Sequence, residues 1–230
     1  MSADQAIRAR RSIRAYLDKP VDAAMIGELL DTARWAPSGG NLQPWKVIAV
    51  AGEAKVAVTQ VAQRILFANP KGEATDMPIY PADLADPYNA RRVKAGESLY
   101  EKLGIAREDK GARYAQAAQN FSFFGAPVGL FFVINRAMGH GQWAHLGMFM
   151  QSIALAAEAR GLGTCFQEAW AMVRTSLHQH FGLAEQDVLY CGMALGWPDH
   201  DAPINGAARM RAEVSDFARF EGFETWPATS

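Results

Sequence analysis

Residues 126–134, Ala-Pro-Val-Gly-Leu-Phe-Phe-Val-Ile, form the longest apolar stretch of the chain, and these nine residues fall far short of the roughly 18 a membrane-spanning helix needs. A short run rich in β-branched and aromatic residues reads as an interior strand, which must then be covered. The next segment supplies the cover. Across 142–160, Trp143, Leu146, Phe149, Met150, Ile153, Ala156 and Ala157 recur at helical spacing as a wide apolar stripe, and Gly161 provides the stop. The chain is thereby committed to a helix packed on a central strand. With 230 residues, half of them hydrophobic and a fifth charged, it can bury a sizeable core.

The remaining elements follow from local signals. Ser2 with Gln5 three residues on makes a capping box for a first helix expected to run to about Tyr16. Asp22 caps a second, with Met25, Ile26, Leu29, Leu30 and Ala33 as its apolar stripe. A strand is expected at 45–50 and a helix at 53–67. Between 69 and 89, Pro70, Pro78, Pro81 and Pro87 preclude regular structure, so this stretch reads as a surface excursion or an active-site flap. Helical patterns at 90–103 and 108–121 precede the central strand. A helix to Phe181 follows 164–170, and the last strand is expected at 188–195. This mixed order favours an α+β fold, one domain over 1–230. The tail has little apolar mass before Phe217, Phe220 and Phe223, so 199–230 is expected to lie as an arm on another surface, a partner subunit being the natural candidate.

Composition and motif searches exclude much. Lys and Arg number 23 against 24 Asp and Glu, which leaves no overall basic field for nucleic acid or an anionic membrane. Cys165 and Cys191 are too few for a disulfide scaffold, and neither belongs to a Cys-x-x-Cys pair; no metal site is expected, and a reducing, cytoplasmic setting fits. Arg8, Arg10, Arg11 and Arg14 lack the apolar block of a secretory signal and read as mature structure. No dinucleotide-binding Gly motif or phosphate-binding loop occurs, and 36–40 lacks the first Gly of a nucleophile elbow. His140, His145, His178 and His180 show no metal spacing, and packing is the better reading for all five histidines.

Two segments remain. Arg10-Arg11-Ser12-Ile13-Arg14 concentrates anion-binding groups, and on a helix Arg10 and Arg14 would share a face suited to a phosphate monoester. Taken alone the segment also reads as a solvated basic face. In Pro37-Ser38-Gly39-Gly40-Asn41-Leu42-Gln43-Pro44-Trp45, two glycines permit close backbone approach and two amides can read a heteroaromatic edge. Taken alone it is equally a helix-to-strand loop.

Together, in this order, the two segments resemble the flavin-dependent nitroreductase family, whose chains open with Arg-Arg/His-Ser-x-Arg/Lys followed by Pro-Ser-x-x-Asn-x-Gln-Pro-Trp. Residues 159–164 and 191–198 look like that family's core-helix end and last core strand, and the resemblance runs over about 6–223, weakest at 69–119. It implies an intertwined α+β homodimer, a central mixed or antiparallel sheet flanked by helices, and one FMN at each subunit interface. By resemblance, Arg10, Arg11, Ser12 and Arg14 would hold the FMN phosphate and ribityl chain together with Arg211 or, in its place, Arg209. Pro37, Ser38, Gly39, Asn41 and Gln43 would approach from the other subunit, and Cys165, Phe166 and Gln167 would lie along the ring system. Many relatives carry Pro or Thr near Cys165 and an acid near Gln167, and Ala212-Glu213-Val214 departs from the usual Arg-x-Pro-Leu pattern.

The implied activity is reduction of nitroaromatics, nitrobenzoates among them, by NADH or NADPH through flavin N5 in ping-pong fashion. No residue stands out as a catalytic acid, base or nucleophile, as expected where the cofactor carries the chemistry. Phe123 and Phe124, or Tyr80, Tyr88 and Tyr100, could stack an aromatic substrate, with core packing the stronger reading for the phenylalanines. Alternatives are a specialised reaction of the same family, such as dehydrogenation or reductive dehalogenation, an FMN carrier without turnover, and a phosphate-binding module without flavin.

Overall fold

The computed structural model describes residues 1–223; the end of the expected 199–230 arm lies outside the described residues. Its helices are α1 (Ala3–Ala9), α2 (Ala23–Ala33), α3 (Gly52–Ala68), α4 (Tyr88–Lys102), α5 (Lys110–Ala118), α6 (His140–Ala159) and α7 (Arg174–His180). The strands β1 (Lys46–Ala51), β2 (Val128–Asn135), β3 (Gly163–Gln167) and β4 (Asp187–Gly196) form one antiparallel sheet in the order β1-β2-β4-β3.

Strand β2 is apolar at almost every position because both faces of the sheet are covered, an arrangement more usual for parallel sheets. Leu130, Phe132 and Ile134 pack with α2 and α6 on one face. Phe131 and Val133 pack on the other with α3, Trp170, Leu177 and the aromatic turn Gln119–Gly125. Glycines let rings lie flat against the sheet. A Cβ on Gly129 would stand 2.3 Å from the Phe123 ring, and one on Gly192 would stand 2.3 Å from Trp170 Cδ1.

The capping box of Ser2 and Gln5 is present, but α1 stops at Ala9 instead of continuing to Tyr16. From Arg10 the chain is extended and runs along the free edge of β3. Ser12 pairs with Thr164, and Ile13 N–H donates to Thr164 O at 2.9 Å. Ile13 is buried, seated over Gly163, where a side chain would meet it at 2.6 Å. Burial of Ile13 and hydrogen bonds to an otherwise open edge outweigh further helix, which two turns cannot strongly favour. The arginines therefore do not share a helical face.

The proline-rich stretch is irregular where it was expected to be, yet its first part is tied down. The Glu73 carboxylate accepts from Thr175 N–H at 2.8 Å, from Ser176 N–H at 3.1 Å and from the Ser176 hydroxyl, so it caps the first turn of α7. Arg174 answers, donating to Leu189 O and to Thr75 Oγ1, each at 2.8 Å. Glu73→Ala is expected to cost about 1–2 kcal/mol, the loss of a multiply bonded cap. The urea unfolding midpoint reads it, and an unchanged midpoint would show that the cap carries no stability.

Candidate active site

The N-terminal strand segment, the α4–α5 hairpin and residues 204–212 of the C-terminal arm enclose a cleft of about 1530 Å³. Arg10, Arg11, Ser12, Arg14, Arg209 and Arg211 all line it. Ile13 does not, because extended backbone turns it inward between Ser12 and Arg14. Burial of Ile13 on the sheet thus leaves the flanking Arg10, Arg11, Ser12 and Arg14 at the cleft without a helical face.

Asn205, which sequence reasoning missed, joins the two halves of this wall. Its buried amide donates to Ala15 O at 2.8 Å and Asp199 O at 2.7 Å, and its Oδ1 accepts from Arg14 N–H at 2.7 Å. Its backbone carbonyl takes Arg11 Nη1. Nothing in the local Pro-Ile-Asn-Gly sequence signals a clamp reaching back about 190 residues.

The two C-terminal arginines play different parts. Arg209 donates to the carbonyls of Arg8, Ala9 and Arg10, capping the C-terminal end of α1 where a cation suits the helix dipole. Arg211 donates only to the carbonyl of its neighbour Met210. None of Arg10, Arg11, Arg14, Arg209 and Arg211 forms an ion pair with a described carboxylate. Burial, then the adjacent charges of Arg211 and Arg209, hold the Arg10 pKa below its usual value. Arg10 Nε is buried without a hydrogen-bond partner among the described residues. A cluster of like charges around an orphaned buried donor is what an anion of two or more charges with several acceptor oxygens would complete, so the residues fit the phosphate of FMN.

The strand β3 sorts its candidates by alternation. Phe166 lies toward Arg10, whose guanidinium is 5.9 Å from the ring centre. Cys165 and Gln167 turn into the core. Gln167 is spent internally, donating to Asn120 O at 2.7 Å and accepting from Trp170 Nε1. What these two can offer a ligand is therefore backbone. Burial pushes both thiols up, that of Cys191 to about 12, so neither is a thiolate at neutral pH. The carboxyl exposed beside this edge belongs to Glu168, next after Gln167, and partial burial raises its pKa.

Phe123 and Phe124 do not line this cleft. Phe123 is fully buried, 4.8 Å from Trp170 and 5.6 Å from Phe131 by ring centres, and Phe124 is buried in the same cluster. Core packing has claimed them. Tyr80 and Tyr100 line the cleft, while Tyr88 lies exposed outside it.

The loop Pro37, Ser38, Gly39, Asn41 and Gln43 does not line this cleft. It is held in a tight conformation with Gly40, Asn41 and Gln43 at φ of 59°, 53° and 50°. Gly and Asn accept such angles readily, whereas Gln43 is held there by its N–H bond to Ser38 Oγ at 3.0 Å. Gly39 N–H donates to His145 Nδ1 at 3.3 Å, so a histidine assigned to packing in fact supports the loop. The loop and its surroundings are exposed and apolar, with Trp35, Leu42 and Met148 at 79%, 57% and 46% exposure.

Fold and cleft together define a class: an α+β protein with an antiparallel sheet whose edge, overlaid by an arginine-bearing N-terminal strand, forms a site for a phosphate-bearing ligand. The chain belongs to the nitroreductase family, whose model matches residues 7–197. It is 36% identical to a nitrobenzene nitroreductase of Ectopseudomonas oleovorans over 94% of this chain and 96% of that one. It is 35% identical to a 4-nitrobenzoate reductase of Pseudomonas putida over 96% of each. Among solved structures, the FMN and NADPH-dependent nitroreductase NfnB from a Sphigopyxis strain superposes with a TM-score of 0.93 at 43% identity, covering 97% of this chain and all of that one.

Proposed function

We propose that this chain is an FMN-dependent NAD(P)H oxidoreductase that reduces nitroaromatic compounds, nitrobenzoates among them. The observation that carries the reading is the Arg10 cluster, five guanidinium groups with no carboxylate partner among the described residues, one of which, Arg10, has a buried Nε with no acceptor there. Arg10, Arg11, Ser12, Arg14 and Arg211 hold the cofactor's phosphate and ribityl chain, while Arg209 fixes the backbone that presents them. Positive charge along this wall favours an anionic ligand in whichever redox state carries more charge. Phe166 and the backbone of Cys165 and Gln167 flank the ring system. FMN, when bound, supplies the two-electron chemistry, so the chain needs no acid, base or nucleophile of its own. Reductant and acceptor use the cleft in turn.

The reading includes a homodimer. The 37–43 loop lies outside its own chain's cleft amid exposed Trp35, Leu42 and Met148, and Phe217 and Phe223 of the arm are each 70% exposed. Apolar surface on this scale around a strained loop suits burial against a second copy, bringing Pro37, Ser38, Gly39, Asn41 and Gln43 to the partner's cofactor. Residues 1–230 act as one domain, 69–119 as a lid over the cleft and 199–230 as an arm on the partner. None of the described helices is long and apolar enough to cross a membrane, and the two free cysteines suit a reducing, cytoplasmic setting.

The test is the visible spectrum of the purified protein under anaerobic conditions. Oxidised-flavin bands are expected to bleach with NADPH or NADH and to return with 4-nitrobenzoate. A colourless protein that takes up no added FMN would overturn the assignment. Flavin that binds but is not bleached by either nucleotide would instead support a carrier.

A further inference from the structure

The charge in the cleft exceeds what one cofactor phosphate requires. Of the chain's 23 Lys and Arg, eleven line this one cleft, whereas of the described Asp and Glu only Glu97 does. Five of the cations belong to the N-terminal strand and the C-terminal arm already described. The others stand on a separate element, the α4–α5 hairpin. The single acid, Glu97, is consumed there. It pairs with Arg113 through two bonds of 2.9 and 2.8 Å, and the same guanidinium stacks on Tyr100 at 4.2 Å. That pair braces α4 against α5.

Arg91, Arg92, Lys94, Arg107 and Lys110 remain, and none forms an ion pair with a described carboxylate. A solvated helix face usually mixes signs, since alternating charges relieve repulsion. Here cations predominate: on α4, Arg91, Arg92 and Lys94 line the cleft with Glu97, while Glu101 and Lys102 do not; around α5, Lys110 lines it while Glu108 and Asp109 do not. Arg92 is held in place by Asn89 Oδ1 at 3.1 Å and by the Tyr80 ring at 5.3 Å. At about 1530 Å³ the cleft is also larger than the roughly 300–1,000 Å³ that one small ligand occupies.

We propose that the hairpin cations form a second anion subsite, which binds the anionic group of the ligand that follows the cofactor into the cleft. This rests on the nitroreductase reading of the same site. Two ligands could bring that group, the reductant with a 2′-phosphate or an aromatic acceptor with a ring carboxylate, and both offer the same chemistry to Arg91, Arg92 and Lys94.

The experiment compares the holoenzyme with the R91Q/R92Q/K94Q variant, in which glutamine keeps the helical propensity of α4. FMN bound per chain is measured first and is expected to match the parent. Loss of three solvent-exposed charge contacts is then expected to raise one KM about tenfold. If the ratio of KM for NADPH to KM for NADH rises, the subsite takes the 2′-phosphate. If the ratio for 4-nitrobenzoate to nitrobenzene rises, it takes the carboxylate. In either case R91K/R92K, which preserves charge, should keep the parent's ratio. Both ratios staying within about twofold of the parent would overturn the subsite and leave a solvated face. A parent protein that takes up no FMN would overturn the cofactor reading itself, and the subsite with it.

Discussion

Replacing Arg10 by alanine is expected to weaken FMN binding about a hundredfold, because a partly buried, charge-assisted phosphate contact is removed. The same substitution should stabilise the FMN-free protein. In the absence of an anion, Arg10 contributes an unsatisfied buried Nε and repulsion from Arg211 and Arg209, and burial already holds its pKa down. Removing it relieves these costs, so the melting temperature of the FMN-free form should rise by about 2–4 °C, about 1 kcal/mol for a domain of this size. Fluorescence titration of the apoprotein reads the affinity, and thermal unfolding reads the stability. The opposite signs are the informative part, since a simple structural arginine would lose stability and leave affinity nearly intact. An unchanged dissociation constant would remove Arg10 from the phosphate site.

Gly192→Ala should be among the most damaging single methyls in the described core, beside Gly129→Ala, whose Cβ would meet the Phe123 ring at the same 2.3 Å. The added Cβ falls 2.3 Å from Trp170 Cδ1 and 2.8 Å from its Nε1. Trp170 cannot swing away, because Phe121, Phe123 and Phe131 surround its ring at 5.3, 4.8 and 5.1 Å. Overpacking of this kind costs about 1–3 kcal/mol, and here the backbone of β4 or the aromatic turn must move as well. A drop in melting temperature of about 4–10 °C is expected. Trp170→Phe in the same chain should recover part of the loss, giving a double variant more stable than the two single effects added together. Strict additivity would show that the clash is not what destabilises the protein.

The effect would also reach the site. Trp170 is bonded to Gln167, and Gln167 to Asn120, so a displaced indole shifts the end of β3 where Phe166 meets Arg10. Packing behind the sheet and ligand geometry at its edge are thus linked through four residues.

Some of this was legible in the chain itself, because the interactions are local. The capping box of Ser2 and Gln5, the Asp22 cap bonded to Met25 N–H, the α2 stripe of Ile26, Leu29 and Ala33, and the apolar run of β2 all arise from residues within a turn or two of one another. The Arg10–Arg14 segment and the 37–45 loop were legible too, as motifs that resemble those of the nitroreductase family.

Their geometry was not. Helical spacing placed Arg10 and Arg14 on one face, but α1 ends at Ala9, since Ile13 gains burial and backbone bonds only once β3 exists to receive it. That Arg209 caps α1 depended on where the α1 carbonyls lie, and the clamp at Asn205 depended on a chain segment about 190 residues away. Core packing was already the stronger reading for Phe123 and Phe124, but only Gly129 and Trp170 in the folded chain make the seat that one of them fills. The sequence by itself determined which residue types are present and the elements that short-range capping and periodicity specify. Only tertiary structure decided which of those residues face one another, because burial and edge pairing are properties of surfaces that no single segment possesses alone.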